Sequence, residues 1–162
     1  MSFRFVRSAG SVHEPAVIDM AASGTVRPGM AVEFTRGSVT TQGFVGPASS
    51  SSTTTNIFGV CLDYAQGASD VHVRVIPFVP GQIWEADTVV AITTLSVGKK
   101  QQLYGSNSVL INNNAYDQTG STGVFLVLGI TGLTTGSGKL LGEFLRTPAG
   151  VHQAGIAGEV YW

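Results

Sequence analysis

Asn56-Ile57-Phe58-Gly59-Val60-Cys61-Leu62-Asp63-Tyr64-Ala65, followed after Gln66-Gly67-Ala68-Ser69-Asp70 by Val71-His72-Val73-Arg74-Val75-Ile76, decides the fold. The first part is an almost continuous apolar run, carried by Ile57, Phe58, Val60, Leu62 and Tyr64, and reads as a central strand. Residues 66–69 turn the chain. The last part alternates, with the valines on one face and His72, Arg74 and Ile76 on the other, as successive strand side chains must. Pro77 and the pair Pro80-Gly81 end this strand or place it at an edge, because proline cannot donate to a ladder.

The same reading extends in both directions. Val26-Arg27-Pro28-Gly29-Met30 is a turn, with Pro28 in its second position and Gly29 in its third, where a positive φ costs glycine little. Residues 31–35 follow as a strand, Arg36-Gly37 as a tight reversal and 38–45 as a second strand. Residues 46–55, Gly-Pro-Ala-Ser-Ser-Ser-Ser-Thr-Thr-Thr, have no apolar period and read as an exposed, flexible loop. Downstream, strands are expected at 82–86, 89–94, 103–104, 109–111, 124–130 and 140–146. Residues 16–22 are ambiguous in period and form the best helix candidate, with a second short one near 82–88. About ten short strands at close spacing predict an all-β fold, a compact antiparallel β-barrel or sandwich with extended terminal segments and at most one short helix. The expected layout is an N-terminal arm or edge strand at 1–15, one β-rich domain at 16–150, and a C-terminal tail or closing strand at 151–162.

Composition narrows the function. The chain has 162 residues, enough for one substantial core. Hydrophobic residues make up 43% and charged residues only 12%, about half the usual globular share. A lightly charged surface does little to keep a protein monomeric, which points towards assembly. The net charge is -1 and the only adjacent basic pair is Lys99-Lys100, so no basic stripe for nucleic acid is present. The alternating start Met1-Ser2-Phe3-Arg4-Phe5-Val6-Arg7 is unlike a signal peptide, and no apolar stretch approaches a membrane helix. Synthesis in a cytoplasm is expected.

No reactive constellation stands out. His13, His72 and His152 are far apart, and none has a partner at metal spacing. Cys61 reads as a buried small hydrophobe, with an intermolecular bridge or reactive thiol as the alternative. Gly136-Ser137-Gly138-Lys139 has the outline of a phosphate loop, but position 133 is Leu where glycine is required and Leu140 stands where Ser or Thr should reach magnesium. Asp63 and Asp70 flank a turn. Glu85 and Asp87, two apart, share one strand face, but no cleft marks them for acid–base work. An enzyme is therefore not expected, nor is a cofactor or metal. The candidate interface residues are Phe3, Arg4, Phe5 and Arg7, able to add a strand to a neighbour's edge or to pair in their own sheet, and Trp84, Tyr161 and Trp162, packed at a core edge or anchoring a subunit contact.

Three segments together resemble a known family. They are Val26-Arg27-Pro28-Gly29-Met30-Ala31-Val32, Asn56-Ile57-Phe58-Gly59-Val60-Cys61, and Val71-His72-Val73-Arg74-Val75-Ile76-Pro77 leading into Gly81-Gln82-Ile83-Trp84-Glu85-Ala86-Asp87. Their order is similar to that in the small decoration, or cement, proteins on the heads of tailed bacteriophages, over roughly residues 20–95. The resemblance implies a barrel-like module, often a homotrimer, that binds the major capsid protein on the outer surface of the virion and stabilises the expanded shell without touching DNA or membrane. It would be made in the bacterial host cytoplasm. The competing readings are another virion structural protein, of tail, baseplate or fibre, and a carbohydrate-binding β module with Trp84, Tyr104 and Tyr116 as its aromatic platform.

Overall fold

A computed structural model describes residues 3–8, 15–35, 44–66, 71–89, 96–104, 110–112, 121–133 and 138–146. Its strands are β1 (Arg4–Ser8), β2 (Ile18–Ala22), β3 (Ala31–Phe34), β4 (Phe44–Pro47), β5 (Ile57–Cys61), β6 (His72–Pro77), β7 (Gln82–Thr88), β8 (Lys100–Leu103), β9 (Leu110–Asn112), β10 (Phe125–Leu133) and β11 (Gly138–Phe144). The fold is all-β, and the described residues contain no α-helix. Both helix candidates are strands: residues 16–22 supply β2 and 82–88 supply β7. Residues 16–22 misled because Val17 and Ile18, at the start of β2, are exposed apolar side chains that blur the alternation.

Strands β2-β4-β3-β5-β6 close into a barrel, and β1-β7-β11-β10-β8-β9 form a second sheet in which β9 also pairs with β7. Pairing is antiparallel except for β2–β4 and β7–β9, which are parallel. The turn before β3 is as expected: the Met30 amide donates to the Arg27 carbonyl at 3.1 Å, and Gly29 sits at φ +80°, a conformation glycine adopts without a Cβ penalty.

The first barrel's interior holds Ala22, Val26, Val32, Val45, Phe58, Cys61, Ala65, Val73 and Val75. Strand β5 is buried along its whole length. Its pairing with β3 runs Ala31↔Val60, Val32↔Gly59, Glu33↔Ile57, so Phe58 is an extra residue bulged out of register. The bulge shifts the alternation by one residue, so that Phe58 and Cys61 both fill the barrel, while Ile57 and Val60 both join the second core. That core also takes Ile76 and Phe78 from the first barrel, and Trp84, Ala86, Leu103, Ile111, Val124, Phe125, Val127, Leu140 and Phe144 from the second sheet. Ile76 on β6 thus lies on the face opposite Val73 and Val75, as expected, and is buried in the second core, while His72 and Arg74 on that face are exposed.

The two strand sets are copies of one unit. Their ladders correspond pair for pair when β2 is matched with β7, β3 with β8, β4 with β9, β5 with β10 and β6 with β11. Ala21↔Phe44 corresponds to Asp87↔Leu110, both parallel. Phe34↔Val45 corresponds to Leu103↔Ile111, and Val32↔Gly59 to Gln101↔Phe125. Cys61↔Val75 corresponds to Val127↔Gly142, and Met20↔Val73 to Ala86↔Leu140. Bonds outside the ladders repeat as well. Gly29 N donates to Cys61 O at 2.8 Å, and Gly98 N, at φ +82°, donates to Val127 O at 2.8 Å. Phe78 N donates to Phe58 O, and Leu145 N to Val124 O.

Equivalent positions trade volume. A Cβ on Gly59 would lie 2.7 Å from Val75 Cγ1, and one on Gly142, the equivalent of Val75, would lie 2.4 Å from Phe125, the equivalent of Gly59. One barrel puts the bulk on β6 and the other on β10. The ring of Phe125 is one of an aromatic group in which Phe144 stacks on Phe78 at 3.8 Å and meets Phe3 and Phe125 edge-on.

Residues 46–55 are built in rather than exposed throughout. Ala48 and Ser52 are buried. Ser52 Oγ and Asn56 Nδ2 both donate to the Glu33 carboxylate, the second at 2.9 Å, and Thr54 N donates to Ser121 O at 2.9 Å. Short hydroxyl and amide side chains bond to nearby backbone, and here they convert a polar run into an ordered connection around one carboxylate.

Candidate functional site

The charged side chains of the two copies gather at equivalent strand edges. In the second copy, β1 lies against β7 with Arg4 opposite Glu85 and Phe5 opposite Trp84. Arg4 Nη2 donates to Glu85 Oε2 at 3.1 Å. From the other side, Lys139 on β11 reaches Glu85 at 3.2 Å and Asp87 at 3.2 Å. Glu85 and Asp87 do share a strand face, and the two carboxylates hold the Lys139 ammonium charged, Asp87 more than Glu85, raising its pKa. Bridged in this way, they neutralise cations on neighbouring strands and leave no free acid–base pair.

In the first copy, Asp19 on β2 occupies the place of Glu85, and His72 on β6 that of Lys139. His72 Nδ1 and Asp19 Oδ2 are 3.0 Å apart, and both side chains are exposed. Further along β6, Arg74 binds Asp63 through Nε at 3.0 Å and Nη2 at 2.7 Å, and its backbone amide donates to the same carboxylate at 2.8 Å. These bonds from Arg74 hold the Asp63 carboxyl down at about 2.

Several expected site residues are structural. Trp84 is 1% exposed and Phe3 is 4% exposed, both in the shared core, so neither ring is available to a partner. Their role as interface anchors is corrected: Phe3 packs on Phe125 and Phe144, and Trp84 meets Phe5 and Phe78 edge-on. The arm that Phe3 begins is an edge strand of the chain's own sheet. The Phe3 amide donates to Gly29 O at 3.0 Å, so β1 also ties the turn of the first barrel to the second. Arg4 and Arg7 are exposed, and Phe5 is half-buried against Trp84. With Trp84 in the core, the aromatic platform of Trp84, Tyr104 and Tyr116 loses its centre. Tyr104 is exposed, and Tyr116 lies outside the described residues, as do His13, Asp70, Gly136, Ser137, His152, Tyr161 and Trp162.

Cys61 is buried inside the first barrel, where its thiol donates to the Asp63 carbonyl and burial pushes its pKa up. Gly138 and Lys139 lie within β11, where Gly138 N donates to Thr88 Oγ1 at 2.9 Å and that hydroxyl donates back to Gly138 O. Among the described residues no three of His, Cys, Asp and Glu are grouped to hold a metal ion, and no helix is long and apolar enough to cross a membrane.

Sequence reasoning missed Asp19, Val17 and Ile18, whose significance comes only from their match to Glu85, Ile83 and Trp84. It also missed Arg146, half-buried, with its guanidinium 4.9 Å from the Phe58 ring and 5.9 Å from that of Phe34. A scan against protein-family models gives no match to this chain, and a search of curated proteins finds no relative.

Proposed function

We propose that this chain is a structural decoration protein of a tailed-bacteriophage head, binding the major capsid protein on the outer surface and stabilising the expanded shell as a homotrimer. The observation that carries the reading is where the resembling segments fall. Separated in sequence, they supply the turn into β3, then β5 and β6, which are consecutive strands of the first barrel. The segment that follows them is β7, the first strand of the second copy. Sparse charge and the commitment of most described carboxylates to neighbouring strands favour a protein that acts through its surface. A carbohydrate-binding module is less favoured, because its central aromatic, Trp84, is a core residue.

Binding tests this reading. Full-length protein is mixed with purified expanded and unexpanded shells, and its retention after sedimentation is measured with its solution mass by light scattering. Selective retention on expanded shells and a mass of three chains are expected. Absence of retention on both shells would refute the assignment. A deletion of residues 1–12 is unsuitable for locating the contact, since it removes the core ring of Phe3.

A further inference from the structure

The two barrels match register for register, yet one strand edge is occupied in only one of them. On β7 that edge is shared: Gln82–Glu85 pair with β1, and Asp87 and Thr88 pair with β9. On β2 the equivalent edge pairs with β4 at Ala21 and Ala22, and among the described residues nothing pairs with it at 17–19. Its polar groups are correctly aimed for a further strand. Ala22 N donates towards β6, to Val71 O, and Ser23 N donates towards β4, to Val45 O. Strand alternation then turns the N–H and C=O of Asp19 and Val17 towards the open edge. Val17 is 53% and Ile18 39% exposed, whereas Trp84, in the position of Ile18, is 1% exposed beneath β1. Asp19 has His72 on one side, as Glu85 has Lys139, and no described residue takes the place of Arg4.

We infer that this edge of β2 is a strand-acceptor site for an extended segment of a foreign partner protein, added antiparallel as β1 is added to β7, with Arg or Lys opposite Asp19 and an apolar ring opposite Ile18. Strand addition draws affinity from main-chain bonds and specificity from the side chains along the edge. The chemistry of the occupant is read from the filled copy of the site. The chain itself cannot readily supply it. Arg4-Phe5 is its only basic residue followed by an aromatic, and that pair is committed to β7; residues 147–162 contain no Lys or Arg. The inference does not depend on the partner being a capsid protein.

The probe is a labelled peptide with the sequence of residues 2–9, Ser-Phe-Arg-Phe-Val-Arg-Ser-Ala, titrated against the full-length chain by fluorescence anisotropy. Saturable binding is expected, weakened about tenfold or more by Asp19→Lys, a charge reversal at an exposed position. A peptide with Glu in place of its first Arg should bind the Asp19→Lys chain better than the parent chain. Absence of saturation up to about 1 mM, the weak end of specific recognition, would overturn the inference. So would binding indifferent to Asp19→Lys, which would place the peptide on β7 in competition with β1. A concentration-dependent dimer of the full chain that Asp19→Lys abolishes would seat a second copy on the edge and overturn the foreign-partner assignment.

Discussion

Gly59→Ala and Gly142→Ala should be among the most damaging small substitutions in the molecule, and Gly129→Ala among the least. A Cβ on Gly59 would lie 2.3 Å from the Ile76 carbonyl oxygen and 2.7 Å from Val75 Cγ1. On Gly142 it would lie 2.3 Å from the Leu126 carbonyl oxygen and 2.4 Å from Phe125 Cε1. Ordinary contact needs about 3.5 Å or more, so each paired strand must retreat by roughly 1 Å. The nearest atoms belong to backbone inside a ladder and have no rotamer to escape into. The cost therefore falls at the upper end of overpacking, about 3 kcal/mol. For a chain of this size each kcal/mol moves Tm by about 2–4 °C, giving a loss of about 6–12 °C. At Gly129 an added Cβ meets nothing within 4 Å, and alanine there should be neutral or gain up to about 1 kcal/mol through the unfolded chain. Thermal unfolding, with urea titrations to check that the m value is unchanged, reads all three variants. A Gly59→Ala protein melting within about 2 °C of the parent would refute the close approach of β5 to β6.

Phe144→Ala removes the ring on which Phe78 stacks and which Phe3 and Phe125 meet, so urea denaturation should show a loss of about 3–5 kcal/mol. Bonds from Arg74 hold the Asp63 carboxyl at about 2 in the folded protein, below the usual carboxylate range, so this pairing stabilises the fold above about pH 4 and is lost as the pH falls towards 2. Arg74→Gln should accordingly lower stability at pH 6 and flatten its decline between pH 4 and 2; an acid limb identical to the parent's would contradict the pairing. Cys61, buried and with its thiol pKa raised, should react with a disulfide reagent at the rate of unfolding rather than at that of a free thiol, and rapid labelling of the native protein would show the barrel interior to be open.

The strands β5 and β6 were legible because their hydrophobic patterns are strong and local. The turn at Pro28-Gly29 was legible because its geometry demands those residues. The order within residues 46–55 was not, since nothing in a run of Ser and Thr reveals that Glu33 will gather them. The roles of Phe3 and Trp84 were open for a different reason: an isolated aromatic carries the same chemistry in a core as in an interface, and only the neighbours brought by β10 and β11 decide. The repetition of the barrel was hidden most completely. Among positions matched by ladder or bond, only Gly29 and Gly98 carry the same residue. Ladder bonds are made by backbone and tolerate any side chain of suitable volume, as the exchange of Gly59 and Val75 for Phe125 and Gly142 illustrates.

The placement of Phe3 sets a timetable for synthesis. The ladders of the first barrel close within residues 18–77, so that unit is complete while the second is still being made. Phe3, by contrast, rests on Phe125 and Phe144 and stays uncovered until Phe144 has been made. At about 5–20 residues per second, its wait on the ribosome is roughly 7–28 s. In the later part of that interval, once residue 77 has been added, the outward face of the first barrel, with Ala31, Val60 and Ile76, has no second barrel to cover it. The nascent chain thus passes through a half-built stage with a closed barrel, a bare apolar flank and a free arm, the stage at which it is most exposed to chaperones and to aggregation.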